Sequence, residues 1–406
     1  MGVCGLCAGA AWAQRYPLMS EAETNALAEI RAQQGAGLIA VQPWVQVMGA
    51  GRLGVGWLTA QEADGVAEWT QSDGADAAWR TAWWSEDGLK QADGTSHRAV
   101  IDGFDPAKPL RIRAVSRPVL SFKPYKVTFG GAVTSEVRRL PGHARPDGVS
   151  FLVFNDIHNR EQLYPLLVAR AGGPADFAVF NGDVLQDPQA EKEVAEHLLL
   201  PMAWFASRGT PCFFLRGNHE TRGVFARRLK GYLALPDNRY YAAMTLGAAR
   251  VLFLESGEDK PDASPEYSGL VDFDAYIEAE LAWLAREIAS GPFRQAAWRI
   301  AVVHIPPDRR TEEAELWHGA RRMRERFGPL FDEGKVDVVI SGHNHRAAVV
   351  EPGPDASGGF RWPVFIGGAH PYTNATVIRV EADAQALKVA CCRSDGSVVG
   401  EKAWRK

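Results

Sequence analysis

The sequence predicts an α/β protein preceded by a small all-β sandwich. In the second half of the chain, short continuous apolar runs alternate with stretches of helical periodicity, and such runs are typical of strands covered on both faces. Residues 38–137 instead contain short alternating segments separated by Gly, Asp and Pro turns, a texture typical of β-sandwiches. A chain of 406 residues is long enough for two or three domains.

The amino terminus has features of an export signal. Residues 1–13 are small and apolar, and Ala11-Trp12-Ala13 precedes Gln14 as in a signal-peptidase site. We therefore expect a signal peptide, truncated because it lacks a basic n-region, and a periplasmic or secreted protein. The alternative is an ordinary terminal tail and a cytoplasmic protein. Residues 14–37 follow as a helical segment, in which the capping-box spacing of Ser20 and Glu23 predicts a helix to about residue 33.

The sandwich segment leads through a linker into the α/β domain. Residues 138–148, rich in Pro, Gly and Arg, predict the linker, residues 149–390 the α/β domain, and residues 391–406 a C-terminal tail. Several tryptophans of the sandwich segment fit core packing better than a platform for carbohydrate or a protein partner. They are Trp57, Trp69, Trp79, Trp83 and Trp84.

The elements of the α/β domain follow from apolar spacing. Continuous apolar runs predict strands over 150–154, 177–180, 212–215, 250–254, 299–303 and 336–340. Apolar residues at helical spacing predict helices over 191–205 and 273–288. Strands that alternate with helices indicate a sheet whose polar work is done at the carboxyl ends of its strands.

Polar motifs follow these strands. They are Asp156-Ile157-His158, Gly182-Asp183, Gly217-Asn218-His219-Glu220, His304 and Gly342-His343-Asn344-His345. Only carboxylate, amide and imidazole groups occur among their candidate ligands, and these groups suit two divalent cations held close together. Two such cations activate a water between them and neutralise charge that develops on phosphoryl oxygens.

The order of these motifs resembles the calcineurin-like metallophosphoesterase superfamily over residues 148–350. The resemblance implies a four-layer α/β/β/α metallophosphoesterase domain and a dinuclear site. It assigns Asp156, His158 and His345 to the first metal, Asn218, His304 and His343 to the second, and Asp183 to the bridge between them. His219 is then a non-ligand that contacts the phosphate or protonates the leaving group.

The first part of the chain carries a second resemblance. The stretch 54–59, His97 to Phe104 and the strand at 110–115 resemble the fibronectin-III-like domain that precedes the catalytic domain in purple acid phosphatases. Gln186 stands where those enzymes have a metal-ligating tyrosine, so no iron–tyrosinate colour is expected. The metals are expected to be two divalent or trivalent ions of manganese, iron or zinc.

Two further residues are candidates for catalysis. Glu220 is expected to fix the tautomer of the His219 imidazole, as neighbouring carboxylates often do. The chain lacks the Asp-Arg pair with which protein phosphatases grip phosphate, and Arg222 is the nearest substitute. An exposed arginine at the start of a helix is the equally plausible alternative for Arg222.

The predicted function is hydrolysis of phosphate esters by a metal-bridging hydroxide. The alternative is a non-catalytic extracytoplasmic binding protein that uses the sandwich. Such a protein is expected to have lost one or more metal ligands, and every predicted ligand is present in this sequence. Acidic residues between 256 and 269 favour diesters slightly over monoesters. With a net charge of −4 and no basic excess, no nucleic-acid footprint is expected, and no transmembrane segment is predicted. The sequence identifies no protein partner.

Overall fold

A computed structural model describes residues 19–49, 51–74, 77–142, 148–307, 318–353, 360–368 and 375–406. The predicted signal segment, residues 1–13, lies outside the described residues. Within the described part of the chain, no helix has both the length and the apolar character needed to cross a membrane.

The described strands form two large sheets. The first sheet has the order β10-β7-β2-β1-β13-β12-β11-β20-β21-β22, with β3 and β6 also paired to β2, and β8 and β9 paired to β7. Its strands are β1 (Ile39–Gly49), β2 (Arg52–Thr70), β3 (Arg80–Ala82), β6 (Gly94–Asp102), β7 (Leu110–Lys123), β8 (Lys126–Phe129), β9 (Val133–Thr134), β10 (Arg138–Leu140), β11 (Gly148–Phe154), β12 (Phe177–Asn181), β13 (Cys212–Leu215), β20 (Thr376–Asp383), β21 (Ala386–Arg393) and β22 (Val398–Arg405).

The second sheet has the order β14-β15-β16-β17-β19-β18. Its strands are β14 (Ala242–Leu246), β15 (Ala249–Leu254), β16 (Trp298–Val303), β17 (Val338–Ser341), β18 (Ala348–Val350) and β19 (Val364–Ile366). A separate hairpin joins β4 (Ser85–Glu86) to β5 (Leu89–Lys90). The strands predicted from apolar runs in the α/β domain are thus present, with ends that differ by one or two residues.

The main helices also match their predictions. Ser20 caps the helix Glu21–Arg31 with the expected capping box, and the helix Phe273–Ile288 has the predicted bounds. The helix expected over 191–205 is interrupted by one π-helical turn, and its parts are Glu191–Val194, Ala195–Leu199 and Leu200–Ser207. The other α-helical segments are Leu163–Arg170, His219–Arg222, Ala226–Leu229, Gly291–Gln295, His318–Arg322 and Gly328–Gly334, with a second π-helical turn at Met323–Phe327 and 3₁₀ turns at Lys230–Tyr232, Pro236–Asn238 and Pro265–Tyr267.

Side chains of the central strands alternate between two cores, which makes the domain four layers thick. Leu152 and Phe154 pack outward against the helices Leu163–Arg170 and Leu200–Ser207. Phe151 and Val153 pack inward, between the two sheets, against residues such as Val251 of the second sheet. The outer face of the second sheet is covered by the helix Phe273–Ile288 and its neighbours. The α/β/β/α arrangement is therefore confirmed.

The segment predicted as a sandwich, residues 38–137, is all β, and it is continuous with the first sheet of the α/β domain. Strand β1 pairs with β2 on one side and, through Gln46 and Cys212, with β13 on the other. Trp57 and Trp69 are buried in its core, whereas Trp83 is exposed. Core packing thus accounts for two of the five tryptophans, and Trp83 does not share it.

Two segment assignments need correction. Part of the predicted linker, Arg138–Leu140, is a strand that pairs with β7. The predicted C-terminal tail is wrong, because β21 reaches Arg393 and β22 pairs with it in antiparallel register. Along these outer strands, more buried residues alternate with more exposed ones, and this is a weaker sequence signal than the continuous apolar runs of the central strands.

Candidate metal centre

The predicted metal ligands converge at the carboxyl ends of strands from both sheets. Asp156 and His158 follow β11, Asp183 follows β12, and Asn218 follows β13. From the second sheet, His304 follows β16, while His343 and His345 follow β17. Because parallel strands end at one edge of a sheet, and the two sheets face each other, these loops meet over the same point.

The first group contains Asp156, His158, Asp183 and His345. One ligand atom from each lies within 4.8 Å of the others. Nε2 of His158 is 3.1 Å from Nε2 of His345, and Nε2 of His345 is 3.3 Å from Oδ1 of Asp156. All except His345 are buried. This spacing suits a cation placed among the four side chains.

The second group contains Asp183, His304 and His343. Their ligand atoms also lie within 4.8 Å of one another, and Nε2 of His304 is 3.1 Å from Oδ2 of Asp183. Asn218 joins this group through a 3.0 Å contact between its Oδ1 and Nδ1 of His343. The His304 Nδ1–H donates to the Asn181 carbonyl at 2.9 Å, which leaves Nε2 facing the carboxylate. Asp183 therefore belongs to both groups.

The backbone at these ligands is strained. The φ angles of Asp156, His158, Asp183, His343 and His345 lie between 47° and 69°, in the left-handed region. Residues other than Gly rarely adopt this backbone region, and those that do are concentrated at functional sites. The surrounding fold therefore fixes the five ligands in a conformation that their own preferences oppose.

Glycines beside the ligands leave room for this geometry. A Cβ at Gly217 would overlap Oδ1 of Asp183, and one at Gly342 would lie 2.6 Å from Oδ2 of Asp156. The glycines of the Gly-Asp, Gly-Asn-His-Glu and Gly-His-Asn-His motifs thus let one loop approach the ligand of another.

Buried charges at the centre depend on one another. Burial would raise the pKa of Asp183, but His304 holds it well below its usual range. Burial would lower the pKa of His304, but Asp183 raises it to about 10. Burial lowers the pKa of His158 to about 4 and that of His343 to about 3. The carboxylates thus require positive charge beside them, and two imidazoles are kept in the neutral form that binds metal. These residues fit divalent cations.

His219 lies beside the centre, as expected, but its partner is not the predicted one. Its Nε2 is 4.0 Å from Oδ2 of Asp183, and its Nδ1 is 3.0 Å from Oδ1 of Asp187. Burial lowers the pKa of His219, but the bond to Asp187 and the negative charges of Asp183 and Asp187 together more than offset this, so that the pKa is raised. Asp187 was not among the residues predicted for the site. The spacing of Asp183 and Asp187 in one loop was the available signal.

The role expected for Glu220 is wrong. This carboxylate is fully buried and accepts three backbone N–H groups, from Asp183 at 2.9 Å, Leu185 at 2.8 Å and Gly217 at 2.7 Å. The His219 ring is not among the described hydrogen-bond partners of Glu220. Glu220 thus ties the loop after β12 to the loop after β13, and acts on the centre through their backbones.

Arg222 is near the centre but already paired. Its guanidinium donates to Oε2 of Glu258 at 3.0 Å and to Oδ1 of Asp259 at 3.1 Å. Its Nη1 lies 3.4 Å from Nε2 of His219. The two carboxylates neutralise the cation that was expected to grip phosphate, although one nitrogen still faces the site.

A family comparison agrees with this centre. Residues 149–347 match the family model described as calcineurin-like phosphoesterase. The chain contains a calcineurin-like phosphoesterase domain. All seven predicted ligands of this domain, from Asp156 to His345, fall inside the matched range. A domain of this family indicates a phosphoester hydrolase, and the His and Asp clusters indicate divalent metal ions.

A purple acid phosphatase of known structure shares the fold of this chain. The purple acid phosphatase PPD1 from yellow lupin (Lupinus luteus) seeds superposes with a TM-score of 0.64 at 14% identity, over 89% of this chain and 74% of that chain. GAP50, the anchor in the inner membrane complex of Plasmodium, gives a TM-score of 0.44 at 15% identity, over 64% of this chain and 89% of that chain. No curated protein sequence matches the chain. The lupin structure supports the shared fold, including the β-rich amino-terminal region.

Proposed function

We propose that the chain hydrolyses phosphate esters at two metal ions bridged by Asp183. One observation carries the proposal, namely that Asp183 belongs to both of the ligand groups at the centre. Asp156, His158 and His345 would hold the first ion, and Asn218, His304 and His343 the second. When bound, such ions activate the attacking water and neutralise charge on the phosphoryl oxygens.

His219 is the proton donor in this proposal. Its ring lies beside both ligand groups, with its centroid 4.9 Å from that of His158. Asp187 binds Nδ1, which directs Nε2 toward the place where the leaving group departs. Gln186 also contacts Nδ1, at 3.1 Å. Asp187 and Gln186 thus position the imidazole without touching the substrate.

Asp183→Asn tests the bridge. The amide offers one oxygen in place of two and no charge, so metal content and hydrolysis should fall together. Asp176→Asn is the matched control, because Asp176 accepts backbone and hydroxyl donors of Ser150 at the opposite end of the same strands. Elemental analysis of both variants gives the metal content and distinguishes manganese, iron and zinc. Full activity of Asp183→Asn would refute the dinuclear centre.

His219→Ala separates proton donation from metal binding. The variant should keep its metals while kcat falls by ~10²–10⁴ for esters with poor leaving groups. Nitrophenyl esters, whose leaving groups need no proton, should lose much less. Equal losses for both kinds of ester would mean that His219 positions the phosphate instead.

We further propose that the site prefers diesters to monoesters. A monoester dianion needs more positive charge than a diester, and Arg222 is held by Glu258 and Asp259. Bis-(4-nitrophenyl) phosphate should therefore have a higher kcat/KM than 4-nitrophenyl phosphate. A strong preference for the monoester that disappears in Arg222→Ala would reverse this proposal and make Arg222 the phosphate clamp.

Export to the periplasm or the medium is also proposed, from the composition of residues 1–13 alone. Amino-terminal sequencing of the mature protein, after cell fractionation, tests it. A protein that begins at Gln14 in the exported fraction supports export, and an unprocessed protein in the cytoplasm contradicts it.

A further inference from the structure

A cavity lined by basic residues lies beside the metal centre. Its volume is about 320 Å³, and its wall includes Arg216 and Thr221. These residues flank the segment that carries Asn218 and His219. Thr221 donates its hydroxyl to the Asn218 carbonyl at 2.8 Å, so the cavity and the centre share one stretch of backbone. We name this cavity the cationic cleft, after the four basic residues that line it, which are Arg216, Arg227, Lys230 and Arg239.

Two of these four cations already have partners. Arg216 is bound to Glu255 at 2.8 Å, and Arg239 to Asp237 at 2.7 Å. Arg216 also stacks on the Tyr240 ring, 4.2 Å from its centroid, which fixes the guanidinium in the wall. Arg216 and Arg239 therefore contribute more to the shape of the cleft than to its net positive charge.

Arg227 and Lys230 supply the surplus charge. Within the described residues, neither has a carboxylate at ion-pair distance, and Arg227 donates to the Leu270 carbonyl at 2.9 Å. Asp272 is the single acidic residue among the described lining. Burial lowers the pKa of Lys230, and the nearby cations Arg216 and Arg98 lower it further, while Glu86 opposes them more weakly. Lys230 thus stands in a positive field, which an incoming anion would relieve.

We propose that the cationic cleft binds a second phosphate-sized anionic group of the substrate, apart from the phosphate that is cut. A planar guanidinium and a compact ammonium on one wall suit a group with several acceptor oxygens. The inference rests on the proposed phosphoesterase function and adds the substrate class, a phosphate ester that carries a further phosphate on its alcohol.

The position of the cleft sets the spacing between the two groups. Glu258 forms a partition between the cleft and the centre, since its carboxylate lies against the Thr221 side chain of the cleft wall and accepts the Arg222 guanidinium beside His219. A substrate with both groups in place has to reach around this partition. Affinity should therefore depend on the length of the chain between the groups, with an optimum, because a short linker cannot span and a long one loses entropy.

The first test uses a linker series. The substrates are ω-phosphoalkyl 4-nitrophenyl phosphodiesters with linkers of two to six methylene groups, and ω-hydroxyalkyl diesters of equal length are the uncharged controls. Release of nitrophenol reports cleavage at the same bond in all of them. At the best linker length, KM should be about tenfold or more below that of the hydroxyl control, as expected for one well-formed bond to a charged group.

Single substitutions test whether the lower KM of the phosphoalkyl substrates depends on the cationic cleft. Arg227→Ala and Lys230→Met should each remove most of the advantage of the phosphoalkyl substrates and leave the hydroxyalkyl substrates unchanged. Arg228→Ala is the matched control, because Arg228 is an exposed neighbour of Arg227 outside the cleft lining. An advantage that survives in both cleft variants, or that is equal at all linker lengths, would refute the inference.

A binding measurement keeps the cleft separate from catalysis. Inorganic pyrophosphate is titrated calorimetrically into protein treated with EDTA, so that the metal centre does not contribute. Binding that is lost in the Arg227→Ala/Lys230→Met double variant and kept in Arg228→Ala supports the cleft even if the chain hydrolyses nothing. Binding that is absent from the wild type, or unchanged in the double variant, refutes the cleft while hydrolysis of simple diesters can still stand.

Discussion

Replacing Glu220 by Gln should loosen the two loops that carry Asp183 and Asn218. The Glu220 carboxylate accepts the N–H groups of Asp183 and Gly217 on Oε2 and that of Leu185 on Oε1. These three donors are in buried contacts, so no water replaces a lost acceptor.

The size of the effect follows from this geometry. An amide has one acceptor oxygen, and with that oxygen in place of Oε2 its nitrogen faces the Leu185 N–H. One buried donor is then unpaired, at a cost of about 1–3 kcal/mol. Loss of the negative charge has two opposing effects on stability. The hydrogen bonds that remain become weaker, because a neutral oxygen is a poorer acceptor than a carboxylate. A buried charge that is costly in the wild type is also removed, since burial and then Asp183 raise the pKa of Glu220 to about 7. We therefore expect the free energy of unfolding to fall by about 2 kcal/mol.

Urea unfolding in EDTA, followed by tryptophan fluorescence, measures this loss, and elemental analysis after reconstitution measures metal content. Both should fall in Glu220→Gln. Glu193→Gln is the control, because Glu193 accepts one backbone N–H, that of Gln189, in an exposed contact, and its change should stay within about 0.5 kcal/mol. Wild-type stability and metal content in Glu220→Gln would show that these three bonds do not hold the loops.

Three further outcomes are expected. Gly217→Ala should lower metal content at least tenfold, because its Cβ would overlap Asp183, whereas Gly131→Ala, with nothing within 4 Å of its Cβ, should keep it; elemental analysis compares them. Asp187→Asn should lower kcat about tenfold for phenyl diesters and about twofold or less for nitrophenyl diesters, since it weakens the contact that orients His219 and raises the pKa of its imidazole; equal losses would contradict this. Dialysis against EDTA should abolish hydrolysis and lower the unfolding midpoint, since bound ions stabilise the native state by mass action, and added metal should restore both.

The sequence predicted the central strands and the gathering of the ligands for a physical reason. Strands buried on both faces leave continuous apolar runs, and the alternation of Phe151 and Leu152 between two cores requires such a run. Because the polar motifs follow these runs directly, their convergence did not depend on knowing the loops. The strands after residue 375 were missed because their exposed faces carry charges such as Lys388 and Glu401, which dilute the apolar signal.

Side-chain partners could not be predicted in the same way. Glu220 is next to His219 in sequence, and this adjacency suggested a contact between them. In the short helix His219–Arg222, however, successive side chains point in different directions, and Glu220 turns inward to the backbone of two loops. Asp187 reaches His219 because its own backbone is left-handed, with a φ of 50°, and no pattern of residue types specifies that turn.

The number of acidic residues in a loop likewise does not show which of their charges are already paired, and this affects the specificity expected of the site. The acidic loop after residue 256 was expected to repel a dianion, yet its nearest members, Glu258 and Asp259, are occupied by Arg222. The same pairs remove the positive charge that a monoester would need at the centre. Arg227 and Lys230, to which the sequence analysis gave no role, line the neighbouring cleft. A diester whose second phosphate lies in the cleft uses both features. It brings little charge to the centre, and it places its second phosphate beside Arg227 and Lys230, for which no carboxylate of the described residues lies at ion-pair distance.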